Sequence, residues 1–403
     1  MAFVTGMGMI TALGTNVAEN LNSLLSEKDG LRLPKILDTK HKNSIVVGEV
    51  PLNNYQLAEQ LFLDTKGYSR TTLLGIHALK EAIENAGLSK DDLKNNRIAF
   101  INATTVGGMS EVENLYADMA SDATEGAFMD YIDAVDCADC TFRIASYFGL
   151  KGFTATVSTA CSSAANALQM GARMIQAGEV DIAICGGTDA LTKFTINGFN
   201  ALKNVDKEPC RPFDEYRNGI NLGEAAAYLV LESQKSISKR AVTPIAILAG
   251  HGNTNEAHHP TAPSPDGSGA ARTMRAALAH TAIDERAIDY INAHGTATQG
   301  NDLSEGMAIR SVFGDGYPPF SSTKSFTGHT LAASGAVEAI FSCLAIIHQF
   351  IPSNLRFTSA MSETGLEPIV STQHNRPLNF VLSNSFGFGG NNVSLIFKKN
   401  TID

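Results

Sequence analysis

Short runs of β-branched and other apolar residues alternate along the chain with stretches whose apolar residues recur at helical spacing. The apolar runs predict strands over 97–102, 153–158, 181–185, 226–231, 244–248 and 380–382. Helical spacing predicts helices over 70–86 and 161–177, with Gly87 and Gly178 in the positions where helices commonly end. A further helix is expected over 331–341, within a region whose most apolar stretch is 336–351. That stretch carries Glu338, His348 and Gln349, and it is shorter than the ~20 residues of a membrane span, so a core helix is expected and no membrane partner. Strands alternating with helices indicate an α/β architecture, its sheets covered by helices.

The polar run at 232–244 reads as a linker, and the parts on either side of it echo each other. RIAFINATTVGG has a counterpart in IDYINAHGTATQG, VSTACSSAANALQMGARMI in FSSTKSFTGHTLAASGAVEAIFS, and AICGGTDA in LSNSFGFGGNNVSLIF. The matches are weak in identity but keep one order. An internal duplication follows, with halves at 1–243 and 244–403. Packing two similar halves brings equivalent loops to one shared surface.

Composition narrows the class. The chain has 403 residues, 44% hydrophobic, with 35 glycines and 13 prolines in no short period, so disordered and collagen-like chains are excluded. Charged residues make up 18%, below the ~25% of an average domain, which points to surface buried against another subunit. A net charge of -10 argues against nucleic acid as a partner. The start, MAFVTGMGMITALG, lacks the basic segment of a signal peptide, and six cysteines are too few for a disulfide scaffold; both indicate a cytoplasmic protein with reduced thiols. Cys137 and Cys140 form one CxxC with no second pair, which fits loose surface cysteines better than a metal site.

Four loops carry chemistry. In Ser158–Ser163 a strand runs into a helix beginning at or beside Cys161, where free N–H groups and the helix dipole stabilise a thiolate and lower its pKa. On this loop alone a nucleophile and a buried structural cysteine fit equally well. Cys185, Cys210 and Cys343 lack that setting. The loop 292–302 places His294 between a strand and Gly295, with Thr296 and Thr298 following and Asp302 at its end. The loop 321–329 carries Lys324 and His329, and the loop 384–392 is rich in glycines that leave N–H groups free for a ligand.

Together TACSS, NAHGTAT, SSTKSFTGH and NSFGFGG resemble the β-ketoacyl-[acyl-carrier-protein] synthases, most closely their elongating branch. RPFDEYRNGINLGEAAAYLVLE and VTGMGMITALG match further segments, so the likeness spans essentially the whole chain. The resemblance implies the thiolase-like fold, two duplicated halves in α-β-α-β-α layers, and a homodimer. It implies acyl transfer to Cys161, then decarboxylative condensation with malonyl carrier protein. His294 and His329 would donate to the developing enolate, and the N–H groups of Cys161 and Phe388 would hold the oxyanion. Phe388 would also act as a gate, Thr296 and Thr298 would bind pantetheine, and Lys324 would order the site through an ion pair with Glu338. No metal or cofactor is implied, and the partner is an acyl carrier protein.

Of two departures from the family pattern, the first is modest and the second points to an alternative. Asn391 stands where the family commonly has threonine, and Asp136–Thr141 is more polar than usual. Unpaired carboxylates there would disfavour a saturated chain and favour a specialised polyketide or aryl polyene product, made with or without a chain-length partner subunit. A thiolase is disfavoured because Phe386 and Phe388 stand where it has a second cysteine. A non-catalytic chain-length partner would lack Cys161. Carrier docking is expected on a basic patch of Lys66, Arg70 and Arg211.

Overall fold

The computed structural model describes residues 1–95, 97–123 and 126–400. Ten strands form the main sheet. Five lie in the first part of the chain: β1 (Ala2–Ile10), β2 (Ile98–Ala103), β3 (Phe153–Val157), β4 (Ile182–Asp189) and β5 (Ala225–Glu232). Five follow: β6 (Ala246–Asn255), β7 (Tyr290–Asn292), β8 (Phe320–Ser321), β9 (Phe380–Phe386) and β10 (Asn391–Lys399). The two sets meet where Ala2, Phe3 and Val4 pair with Leu248, Ile247 and Ala246. Outward from this seam the orders are β1-β5-β4-β2-β3 and β6-β10-β9-β7-β8. In each set the first two pairings are antiparallel and the last two parallel. The same path traced twice is the thiolase-like duplication.

Six helices complete the layers: α1 (Arg70–Asn85), α2 (Cys137–Phe148), α3 (Ser163–Gln176), α4 (Ser268–Thr281), α5 (Gln299–Phe313) and α6 (Ser334–His348). Alternation along β5 shows how the sheet serves two layers. Ala227, Leu229 and Leu231 join the core containing α3 and α6, whereas Ala226, Tyr228 and Val230 join α1 and α2 on the other face. Helices α4 and α5 cover the equivalent outer face of the second half. Alanines at 164, 165, 167, 332, 333, 336 and 339 keep the middle layer thin enough for α3 and α6 to share one core. The 331–348 stretch is long and apolar enough to cross a membrane, yet 89% of it is buried inside the protein.

The expected strands are present, and three run further than their sequence cores, to Asp189, Asn255 and Phe386. The loop-facing ends carry Gly186, Gly187, Gly252 and polar residues, which dilute the apolar signal. Strands β1 and β10 had no sequence-based assignment. Helix α3 starts at Ser163 rather than Cys161. The segment 232–244 is not an open linker: Ser233 caps a helix over Gln234–Arg240, and Arg240 pairs with the buried Glu232. Gly87 and Gly178 have φ of 62° and 72°, as helix-terminating glycines require.

Candidate active site

The four loops meet at one end of the sheet. A cavity of about 270 Å³ is lined by Cys161, Phe199, Thr296, Thr298, His294, His329, Phe386 and Phe388. The Cys161 sulfur and one nitrogen from each histidine lie within 4.8 Å of one another. The two rings stand nearly perpendicular, with centroids 5.5 Å apart. Two of these loops, and the turn just after a third, hold a non-glycine residue in left-handed conformation: Ala160 (φ 53°), Ala297 (φ 63°) and Leu331 (φ 52°). Such backbone persists only where the surroundings fix it, and it concentrates at functional sites.

Hydrogen bonds determine which nitrogen of each histidine faces the cavity. His329 Nδ1 accepts from the Leu331 N–H at 3.0 Å, so its proton sits on Nε2, which is buried and has no protein partner. His294 Nδ1 lies 3.2 Å from Lys324 Nζ, a donor only, so His294 also carries its proton on Nε2. Burial, aided by Lys324, holds both rings well below the usual imidazole range, and they are neutral. The site therefore has two neutral N–H donors beside a sulfur. A metal would need the Nε2 lone pairs, forcing protons onto two Nδ1 atoms that already face donors; the trio does not suit a metal ion.

Lys324 donates to the His294 carbonyl at 2.7 Å and forms an ion pair with Glu338 from α6. Burial pushes Glu338 up to about 7, with Lys324 opposing it. Gly328 (φ 72°) turns the chain from the lysine into the His329 loop, and a Cβ there would meet Asn221 O at 2.8 Å. Gly387 brings the last loop against the first: an added Cβ would sit 2.9 Å from Thr159 O. The Phe388 ring stacks on Phe199, centroids 5.7 Å apart. Thr296 and Thr298 hydroxyls bond each other at 2.9 Å.

The expectation of a low-pKa thiol is overturned. Burial pushes Cys161 up to about 11, outweighing Lys324 and the N–H groups of Phe388 and Cys161. Cys161 is only 7% exposed, and the helix begins two residues beyond it, so desolvation exceeds the dipole effect. Those two N–H groups nevertheless face the sulfur.

Several supports had no sequence assignment. Glu305 accepts from His294 N (2.9 Å), Gly295 N (2.8 Å) and Asn384 Nδ2 (3.0 Å). Asp302 accepts from Thr296 N at 2.9 Å and Phe213 N at 2.7 Å. Both sit in the first turns of α5, three residues apart, and together they hold the His294 loop from below. Asp189 accepts from Thr104, Thr105 and the Ala332 N–H, tying the His329 loop to the first half. The D-x-x-E spacing after the His294 loop was the available signal.

Three other expectations fail. Arg70 is buried, with its guanidinium on Glu224, Val50 O and Leu52 O, so it belongs to no docking patch. Lys66 is exposed and pairs with Asp130, and Arg211 is half-buried. Neither carboxylate of the 136–141 segment is unpaired: Asp136 caps α2, and Asp139 is paired with Arg143 at 2.7 Å. Cys140 is buried against Asn102 rather than loose on the surface, and Cys137 is half-buried.

Comparison with known proteins identifies the family. Residues 3–236 match the beta-ketoacyl synthase N-terminal domain, and residues 245–358 match the C-terminal domain. The chain is 33% identical to 3-oxoacyl-[acyl-carrier-protein] synthase 2 of Staphylococcus aureus (strain N315), covering 98% of this chain and 97% of that protein. It is 31% identical to the synthase of the same name from Coxiella burnetii, covering 98% of each. Among solved structures it superposes on the ishigamide ketosynthase/chain length factor with a TM-score of 0.91, 31% identity and 99% of each chain covered. A ketosynthase in complex with its chain length factor, from Xenorhabdus doucetiae, gives 0.85 and 32% identity over 99% of this chain and 98% of that one. Matched along both halves, the chain belongs to the β-ketoacyl synthase family.

Proposed function

We propose that the chain is a 3-oxoacyl-[acyl-carrier-protein] synthase of fatty acid biosynthesis, working in the cytoplasm as a homodimer. The observation that carries the reaction is the pair of neutral Nε2–H donors facing one cavity beside Cys161. Cys161 sulfur attacks the acyl thioester; the S–acyl bond forms and the carrier thiol leaves with the thiol proton. Malonyl carrier then enters. Its C–CO2 bond breaks, and the electrons pass to the thioester oxygen, where His294 and His329 donate. The enolate carbon attacks the acyl-cysteine, and the oxyanion is held by the N–H groups of Cys161 and Phe388. Collapse forms the 3-oxoacyl product and returns the Cys161 thiolate. Lys324, anchored by Glu338, holds His294 in the donating tautomer. Thr296 and Thr298 would hydrogen-bond the pantetheine arm, and Phe388 would move off Phe199 when an acyl chain enters.

The halves divide at 243/244, between the helix over Gln234–Arg240 and β6. Dimerisation is supported by β3, an edge strand with Phe153 exposed, and by Met119, Met129, Ile132, Val135 and Phe142, exposed in nearby segments. The test is intact-mass detection of acyl-Cys161 over a panel of acyl carriers, with labelled carbon dioxide from malonyl carrier. No acyl adduct and no carbon dioxide would overturn the reading. A preference for polyene or aryl-primed carriers would favour the specialised-pathway alternative, which the names of the ketosynthase/chain length factor neighbours also fit.

A further inference from the structure

Lys324 fixes the His294 tautomer from a helix only four residues long, Lys324–Thr327. So short a helix leaves most of its carbonyls to outside donors. The Gly328 N–H takes Lys324 O at 2.9 Å, and the next two carbonyls are met by remote parts of the chain. Gly30 N–H donates to Phe326 O at 2.8 Å, and the Arg356 guanidinium donates to Ser325 O. The same guanidinium donates through Nε to Cys210 O at 2.9 Å and pairs through Nη1 with Asp29 at 2.9 Å. The other Asp29 oxygen accepts the Leu31 N–H at 2.9 Å, so the carboxylate is itself held.

Cys210 extends this clamp towards the second histidine. Its thiol donates to Lys324 O at 3.5 Å, and its N–H donates to the Asn221 side chain at 2.7 Å. The Asn221 carbonyl in turn accepts the His329 N–H at 2.7 Å. The two residues before Arg356 grip the same loop: Asn354 accepts the Ser322 N–H at 3.0 Å, and Leu355 N–H donates to Ser325 Oγ at 3.2 Å. Arg356 itself is left-handed, with φ of 66°, a conformation that a non-glycine residue keeps only where its surroundings fix it. Its planar fork meets two carbonyls and a carboxylate at once, which an ammonium does not match. Among the described residues, no hydrogen bond of Arg356, Asp29 or Cys210 runs to the Cys161 loop.

We infer that Arg356, held by Asp29, is a positioning residue for the condensation: it seats the lysine helix, and through Lys324 it aims the Nε2–H of His294 at the enolate oxygen. The inference rests on the proposed condensation and adds to it a residue that touches neither the substrate nor the reacting groups. Asp29 comes from the first half of the chain and Arg356 from the second, so the pair also ties the two halves beneath the site. Loss of the clamp falls on the half-reaction that needs the histidines and spares acyl transfer to Cys161.

The test follows both half-reactions of the full-length enzyme, labelled carbon dioxide from malonyl carrier and intact mass of acyl-Cys161. A misplacement of about 1 Å can cost ~10²-fold, so the looser seat in Arg356→Ala is expected to lower decarboxylation kcat about tenfold or more. KM for malonyl carrier and the acylation rate are expected to stay within about twofold. The Arg356 side chain is 25% exposed, so a small cation can reach the space it vacates. Guanidinium chloride at about 50 mM is expected to raise decarboxylation by Arg356→Ala about threefold and to leave the unaltered enzyme unchanged, a rescue that general loss of packing does not show. Arg356→Lys keeps the charge but not the fork and should lose less than Arg356→Ala. Asp29→Asn should show the same split at about threefold, and it carries the test if Arg356→Ala does not fold. Equal losses in both half-reactions, no rescue of a folded Arg356→Ala, or unchanged decarboxylation would each overturn the inference. Failure of the unaltered enzyme to form acyl-Cys161 or to release carbon dioxide would instead overturn the proposed reaction.

Discussion

Removing Cys161 and removing His294 should separate the two half-reactions. Cys161→Ala deletes the acyl acceptor but leaves both Nε2–H donors and the Lys324–Glu338 pair beneath them. Carbon dioxide release from malonyl carrier should persist, with no acyl adduct. His294→Ala deletes one of two donors to the enolate in a cavity where both rings are buried. One such donor is worth about 3 kcal/mol, so decarboxylation should fall by ~10²–10³. Acylation should survive within about tenfold, because His294 has no free lone pair for the thiol proton: its Nδ1 faces Lys324 and its Nε2 already carries hydrogen. The assays are intact protein mass after incubation with acyl carrier and labelled carbon dioxide from malonyl carrier, with thermal melts confirming that each variant is folded. If His294→Ala abolished acylation while sparing decarboxylation, the tautomer argument would fail. His294 would then be a base, as in a cysteine–histidine hydrolase.

Other perturbations test other parts. Because burial places the Cys161 thiol at about 11, raising pH supplies thiolate, and alkylation by iodoacetamide should accelerate about tenfold per pH unit from 7 to 10; a plateau below pH 8 would show a preformed thiolate. Arg70→Ala leaves Glu224 buried without its cation, so urea unfolding should show a loss of ~3–5 kcal/mol, with carrier KM unaffected in whatever fraction folds. Gly387→Ala pushes the last loop away from Thr159, and acylation should drop more than tenfold while the melting temperature moves by only a few degrees. Asp139→Ala removes one half-buried partner of Arg143, so stability should change by under about 1 kcal/mol and the acyl profile should not move.

The reacting groups were legible because catalysis restricts residue type and local sequence together. Cys161, His294, Lys324, His329 and Phe388 all sit in short motifs with glycines or small residues on either side, and the cavity gathers all but the buried lysine into its lining. The duplication was legible for a related reason: each half must repeat the same strand-to-loop transitions to present its loops at one end. Strands β1 and β10 escaped notice because glycines at 6 and 8 and polar residues at 391, 392 and 394 interrupt the apolar run. Those positions lie inside the sheet, where burial and neighbouring strands outweigh local propensity.

What sequence could not supply was the balance between opposing effects at one atom. A cysteine before a helix gains from the dipole, but how much is lost to burial depends on the loop 386–390 folding over it, more than two hundred residues away. The same applies to charge. Arg70 reads as a surface cation at a helix start, yet Glu224 draws it into the core. The supports repeat this logic. Glu305 and Asp302 look like ordinary acidic residues in the sequence, but each accepts N–H groups that the strained His294 loop cannot satisfy internally. With both Glu305 oxygens facing donors, Glu305→Gln would turn an NH2 against one of those N–H groups. It should lower kcat through displacement of His294 without altering alkylation of Cys161. An equal loss in both would mean that Glu305 holds the whole cavity rather than one loop.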